Sequence, residues 1–356
     1  MRTRIPAIAV IASLVAAACG GAATPSAGPS AAPSAAQATT AATKAPLAKV
    51  KIMVGGLNKQ IYLPNMLTKQ LGFFADEGLD ADMLDEPSGV DTENEVAAGH
   101  VDIGSGSYDH TIDLQAAGKP ITCVAVLLRE PGEFIMYSTR VADKIKSPKD
   151  WKGLKAGVTS LGSGTHTLMR AIAVHNGLQV SDVTYVKAGA GDTFIAGMKN
   201  GQIDIGITTQ PTVLRLVSQK IAVLGVDLSK PDTTQAAMGG DYPFIALWAR
   251  PDYIAAHKDV VQKVVNAYVK TLKWIASHKA EDVTAKLPAD YSSANKDEYI
   301  QALKDSYQMF TPDGKMPVGG PQFVLKTVSS FNDKIATANI DLAKTYDPTF
   351  VETANK

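Results

Sequence analysis

One short phrase occurs twice in this chain. Gly99-His100-Val101-Asp102-Ile103-Gly104 returns as Gly201-Gln202-Ile203-Asp204-Ile205-Gly206. Each copy follows a run that reads as a helix, Val90 to Ala98 and Thr193 to Asn200. A glycine closing such a run is the common left-handed C-terminal cap, and the apolar residues flanking each aspartate read as a short buried strand. Each copy leads into small polar residues, Ser105-Gly106-Ser107-Tyr108 and Thr208-Thr209-Gln210-Pro211. A helix–glycine–strand–polar-loop unit used twice calls for two α/β lobes, each offering a strand end rich in hydrogen-bonding groups. The flanking aspartates, Asp102 and Asp204, read as scaffold, tied to nearby backbone N–H groups.

The pattern between the copies supports this. Strands are expected at Lys49–Val54, Ala81–Leu84, Ile121–Leu128, Lys155–Thr159, Val183–Lys187 and Ile221–Gly225, with helices between them. Alternation of this kind makes βαβ units and a mainly parallel sheet. Ser147-Pro148-Lys149-Asp150 reads as a capping box with proline at the first helical position. Glu133–Thr139 and Tyr242–Ala249 are extended runs that carry the chain from one lobe to the other and back, which makes a hinge. The division expected is residues 47–140 with 242–356 in lobe 1, and 141–241 in lobe 2. Asp259–His278 carries Val261, Val264, Val265, Tyr268, Leu272 and Ile275 at helical spacing, a core-facing stripe.

The N-terminal residues lie outside this scheme. Arg2 and Arg4 precede Ile5–Ala18, which is apolar but for Ser13 and shorter than the ~20 residues that a membrane-spanning helix needs. Residues 1–18 therefore read as a secretory signal peptide. Ala16-Ala17-Ala18 before Cys19 resembles a bacterial lipoprotein cleavage box with Cys19 as the lipidated residue, departing from it at Ala16. Residues 20–46 are almost wholly Gly, Ala, Ser, Thr and Pro, a composition that cannot bury a core and suits a flexible tether of about 30 Å end to end. The chain has 35 basic and 35 acidic residues; without Arg2 and Arg4 it is slightly acidic, with no surplus to attract nucleic acid. Beyond Cys19 the only other cysteine is Cys123, so no disulfide framework or cysteine metal site is available.

In open α/β sheets ligands sit beyond the carboxyl ends of the strands. The candidates there are Asn58 and Lys59; Ser105, Ser107 and Tyr108; Ser163, Gly164, Thr165 and His166; Thr209 and Gln210; and Tyr242, which with Tyr108 is placed either to wall a cleft or to pack. Gly162-Ser163-Gly164-Thr165-His166 joins a strand to a helix, so free N–H groups at a positive dipole end make it either an anion site or an ordinary helix cap. No lysine follows its glycines as in a phosphate-binding loop. His110, His175, His257 and His278 read as surface or packing residues, and His100 as exposed. Glu130, Glu133 and Asp241 near the crossings would serve a cation. No catalytic constellation, metal-ligand spacing or cofactor motif is found.

Together these residues resemble the solute-binding proteins of ABC importers, in the group serving nitrate, sulfonates, taurine and thiamine-pyrimidine precursors. The resemblance rests on Lys51-Ile52-Met53-Val54, on Leu71-Gly72-Phe73-Phe74-Ala75-Asp76-Glu77-Gly78-Leu79, on Ala98–Gly104, on Asp150-Trp151-Lys152-Gly153-Leu154-Lys155-Ala156-Gly157-Val158, and on the loop 162–166. It covers about Lys49 to Ile275. It implies a two-lobed periplasmic-binding-protein type II fold that closes on one small polar, anionic ligand without covalent chemistry. It also implies delivery to a permease and its ATPase by a monomer held outside the membrane through lipidated Cys19, with no cofactor and no nucleic acid. Two other classes share the resemblance: a thiamine-pyrimidine synthase, which needs a cysteine-rich motif that this chain lacks, and a binding protein that reports to a sensor.

Overall fold

The computed structural model describes residues 46–292 and 295–356. The segment read as a signal peptide, Cys19, and all but the last residue of the stretch read as a tether lie outside them. Among the described residues no helix is long and apolar enough to cross a membrane.

The chain runs β1 (Ala48–Val54), α1 (Leu63–Gln70), α2 (Phe73–Asp76), β2 (Leu79–Asp85), α3 (Gly89–Ala98), β3 (Ile103–Ser107), α4 (Asp109–Ala116) and β4 (Thr122–Val126). It continues through β5 (Phe134–Ser138), β6 (Lys155–Val158), α5 (Gly164–His175), β7 (Thr184–Lys187), α6 (Asp192–Lys199), β8 (Ile205–Thr208), α7 (Thr212–Ser218), β9 (Ala222–Asp227) and α8 (Pro231–Met238). After β10 (Ile245–Ala249) come α9 (Pro251–Ala256), α10 (Lys258–Ser277), α11 (Ala280–Lys286), α12 (Lys296–Ser306), α13 (Gly320–Ser329), α14 (Asp333–Thr337) and α15 (Thr349–Ala354).

Two five-stranded sheets result, ordered β2-β1-β3-β10-β4 and β7-β6-β8-β5-β9. In each, the first three strands are parallel and the fourth is antiparallel to both neighbours. The antiparallel strand is the one that has just crossed: β5 enters the second sheet, and β10 returns to the first. The first crossing therefore spans 127–133, ahead of the 140/141 boundary expected from the sequence. The two crossings run side by side, with Leu127 N–H on Ile245 O (2.7 Å), Phe244 N–H on Leu128 O (3.0 Å) and Leu228 N–H on Glu133 O (2.9 Å).

The repeated phrase does the same work in both lobes. Gly99 and Gly201 end their helical runs at φ of 82° and 75°, a left-handed backbone that costs glycine nothing. Asp102 donates its N–H to Lys51 O (3.3 Å) and accepts the Lys51 N–H at Oδ2 (2.8 Å). Asp204 repeats this clasp on Lys155, at 2.8 and 3.0 Å. The last glycine of each copy makes room for an aromatic ring. A Cβ on Gly104 would stand 2.0 Å from Trp248 Cζ3, and one on Gly206 would stand 2.6 Å from Phe194 Cζ.

Helices flank each sheet. On α10, Val261, Val264, Val265, Tyr268, Leu272 and Ile275 are buried as the spacing predicts, each contributing about 1.5–3 kcal/mol by leaving water. The C-terminal segments close the outer edge of β4, where Cys123 bonds through its backbone to Thr345 O and Asp347 N–H.

Candidate functional site

The polar ends of the strands face each other where the lobes meet. Gly164, at the start of α5, lies against β3: a Cβ there would fall 2.5 Å from Ser107 Oγ and 2.9 Å from Phe244. Gln60 N–H donates to Gln210 O (3.1 Å) across the same seam. Thr209 Oγ1 donates to Gly132 O at the crossing (3.1 Å).

Along this seam lies a set of buried polar atoms with no hydrogen-bond partner among the described residues. Ser105 Oγ, Ser107 Oγ, Asp109 Oδ1, His110 Nε2 and Trp248 Nε1 gather at the carboxyl end of β3, and Glu133 Oε2 belongs to the first crossing. From lobe 2 come Thr167 Oγ1, Arg170 Nε and Tyr185 OH. Leaving one such group unpaired in the interior costs about 1–3 kcal/mol, and most buried polar groups find partners. So dense a cluster marks a place built to bond something outside the chain.

Glycines keep this region open. His110 Nε2 lies 3.0 Å from the point where a Cβ on Gly89 would stand, and Tyr62 OH lies 3.9 Å from it. A Cβ on Gly55 would meet Tyr62 OH at 2.7 Å, and one on Gly106 would meet the Trp248 ring at 2.8 Å. The His110 and Trp248 rings stand edge to face, 6.3 Å apart.

Charge in the seam is strongly perturbed. His110 Nδ1 pairs with Glu93 Oε2 at 2.6 Å. Burial opposes a proton on this ring, but Glu93, Asp109 and Asp113 outweigh it and hold the imidazole up at about 9. Burial pushes the Glu133 carboxyl up, against the pull of Lys59, and pushes the Lys59 ammonium down. Lys59 Nζ donates to Gly55 O (2.6 Å) and Pro87 O (3.2 Å). Burial and the Arg170 guanidinium lower His166 to about 4.

The residues singled out from the sequence take different places. Ser105, Ser107, Gly164, Thr209 and Gln210 are buried at the seam, and Lys59 is half-buried beside it. Asn58 is exposed and lines an outer cavity of about 200 Å³ with Pro211, Arg215 and Tyr291. Ser163 and Thr165 spend their hydroxyls inside their own loop: Ser163 Oγ donates to Ser160 O (2.7 Å), and Thr165 Oγ1 accepts the Thr159 N–H (3.0 Å). His166 Nδ1 accepts the Gly162 N–H (3.0 Å). Tyr108 and Tyr242 are fully buried, the first bonded to Thr345 Oγ1 at 2.5 Å and the second donating to Asp109 Oδ2 at 3.3 Å.

The helical histidines divide between the two places expected of them: His110 is buried and charge-paired at the seam, whereas His175 and His257 are exposed. The signal of His110 was present, since it falls in the first turn of the helix that leaves Ser105–Ser107 and so turns back under that strand end. Its partner Glu93 comes from another helix, and no local pattern links the two. Tyr62 and Trp248 were hidden within runs that read as helix and strand. Asp102 and Asp204 are scaffold, as expected.

A family model described as NMT1/THI5 like matches residues 61–282. A solved structure from Bordetella bronchiseptica RB50 is 32% identical, with a TM-score of 0.81 over 86% of this chain and 97% of that one. The alkanesulfonate-binding protein SsuA of Xanthomonas axonopodis pv. citri, solved bound to MOPS, is 17% identical, with a TM-score of 0.64 over 87% of this chain and 98% of that one. These likenesses make the fold the two-lobed periplasmic-binding-protein fold. The 4-amino-5-hydroxymethyl-2-methylpyrimidine phosphate synthase THI12 of Saccharomyces cerevisiae is 27% identical over 161 residues, 45% of each chain. The chain thus spans less than half the length of that curated relative.

Proposed function

The chain belongs to the NMT1/THI5-like family, and from that premise we propose that it is a solute-binding protein that captures one small polar ligand between its lobes. The observation that carries this is the row of buried, partnerless polar atoms along the seam. A ligand that satisfies them recovers hydrogen bonds strengthened by the low-dielectric surroundings. Closing the two lobes about a hinge of two adjacent crossings is the motion that would bury it.

The ligand is rich in acceptors and anionic. Trp248 Nε1 and Arg170 Nε can only donate, and a protonated His110 Nε2 donates as well. The first amides of α5, at Gly164, Thr165 and His166, find no acceptor among the described residues and lie at the positive end of the helix. Fewer acceptors face them. Lys59, Ser105, Ser107, Gly164, Thr209 and Gln210 contribute from the strand ends, together with Tyr62, His110 and Trp248. In this reading Cys19 carries a lipid, residues 20–46 tether the lobes outside the membrane, and an ABC permease with its ATPase takes up the captured molecule.

A thermal-denaturation panel of sulfonates, carboxylates, nitrate, pyrimidines and amines tests the proposal. A compound at 100-fold its Kd should stabilise the chain by about 2.7 kcal/mol. Stabilisation by amines alone would overturn the anionic reading, and stabilisation by none would overturn capture of these classes. The synthase names of the yeast relatives favour a second reading as an enzyme. Formation of 4-amino-5-hydroxymethyl-2-methylpyrimidine phosphate by the chain would establish it.

A further inference from the structure

The His110–Glu93 pair goes further than a buried ion pair requires. Glu93 is 7% exposed and His110 is 1% exposed, and they come from different helices, α3 and α4. The ion-pair contact with Glu93 uses Nδ1 and leaves Nε2 as the atom turned toward Tyr62 and the bare position at Gly89. A neutral imidazole with free Nε2 can be donor or acceptor according to its tautomer, whereas an imidazolium can only donate. A carboxylate against Nδ1 holds a proton there and fixes the orientation of the ring; Nε2 is then an acceptor in the neutral ring and a donor in the charged one, and the carboxylates of Glu93, Asp109 and Asp113 favour the charged ring.

We propose that Glu93 is a positioning residue of the capture site, holding His110 so that its Nε2–H is a permanent donor to the seam. The group that a captured molecule presents there must then be an acceptor. This rests on the seam being the capture site and adds the residue that sets what the seam reads. The groups facing His110 are Glu93 from α3, Asp109 and Asp113 from its own helix, and the Tyr62 hydroxyl, with the Trp248 ring edge-on. Arg170 from α5 faces the two aspartates from the other lobe. Glu93 is the largest of the carboxylate influences and the one in direct contact.

The test follows the imidazole resonances of the purified chain by NMR across pH, with His110→Gln assigning the signal among the six histidines. His110 should hold its proton through neutrality, with a midpoint near 9. Glu93→Gln should lower that midpoint by more than about one pH unit, toward or below the ordinary value of about 6.5. Glu93→Asp, which keeps a carboxylate, should restore most of the shift. A wild-type midpoint near 6.5, or no change in Glu93→Gln, would overturn the proposal; the wild-type result decides even if a variant fails to fold. Since no ligand enters the readout, its failure leaves the capture reading standing, and failure of the capture reading is seen separately, as a panel without binders.

Discussion

Gly164 of the second lobe lies against Ser107 of the first, so close that a Cβ on Gly164 would stand 2.5 Å from the Ser107 hydroxyl oxygen. Within one lobe such a clash would strain a core. Here the two residues sit on separate bodies joined by a hinge, so the strain can be relieved by opening. Gly164→Val should therefore leave the melting temperature nearly unchanged, raise the radius of gyration in small-angle scattering, and weaken binding of any panel compound at least tenfold. A variant as compact as wild type would show that closure does not depend on this contact.

Hydroxyls at the seam and hydroxyls in the α5 loop should behave oppositely. Ser105 and Ser107 have no partner for Oγ, so alanine there removes an unpaired buried group and should be neutral or stabilising by up to about 1 kcal/mol. Binding should nevertheless fall. Thr165→Ala strips the acceptor from the buried Thr159 N–H and should cost about 1–3 kcal/mol. Chemical denaturation of the three variants checks the order.

The clasps of Asp102 and Asp204 predict matching behaviour in the two lobes. Asp102→Ala and Asp204→Ala each lose one bond to a strand N–H, a cost of about 1 kcal/mol, while asparagine keeps a carbonyl acceptor and should be close to silent. Ligand affinity should not change in any of the four. Lost affinity at undiminished stability would make these aspartates part of the site.

How stability changes with pH follows from groups that hold protons more tightly when folded. Burial raises Glu130 to about 7, with Asp241 adding to it, and raises Glu133 as well, from an ordinary 4.5. His110 rises from 6.5 to about 9. In each case the folded state binds more protons than the unfolded state between the two values, so stability is full below the unfolded value and is lost as pH rises through the folded one. Melting temperature should fall from about pH 4.5 to about pH 9. Glu130→Gln should flatten the part near 7, and His110→Gln the part near 9.

The fold was legible where it depended on local pattern. The glycine caps, the strand after each and the clasping aspartates all stand within a few residues of one another, so the repeat exposed two lobes. The placing of β5 was not legible, because which sheet an extended run joins depends on partners far along the chain: Phe134–Ser138 pairs with β8 and β9. The site was half legible for the same reason. Ser105, Ser107 and Gly164 announce themselves as small polar residues at strand ends. Glu93, His110, Tyr62 and Trp248 acquire their roles only when four separate elements pack together, and Ser163 and Thr165 turn out to satisfy their own loop.

Native mass spectrometry of the unfolded and refolded chain, incubated with the compound that stabilises it most, tests capture between the lobes most directly. The account predicts a single non-covalent 1:1 adduct, released unchanged on denaturation and strongly reduced in the Ser105→Ala, Ser107→Ala double variant. An adduct undiminished in that variant would place the site elsewhere, and release of an altered molecule would mean that the chain performs chemistry rather than capture.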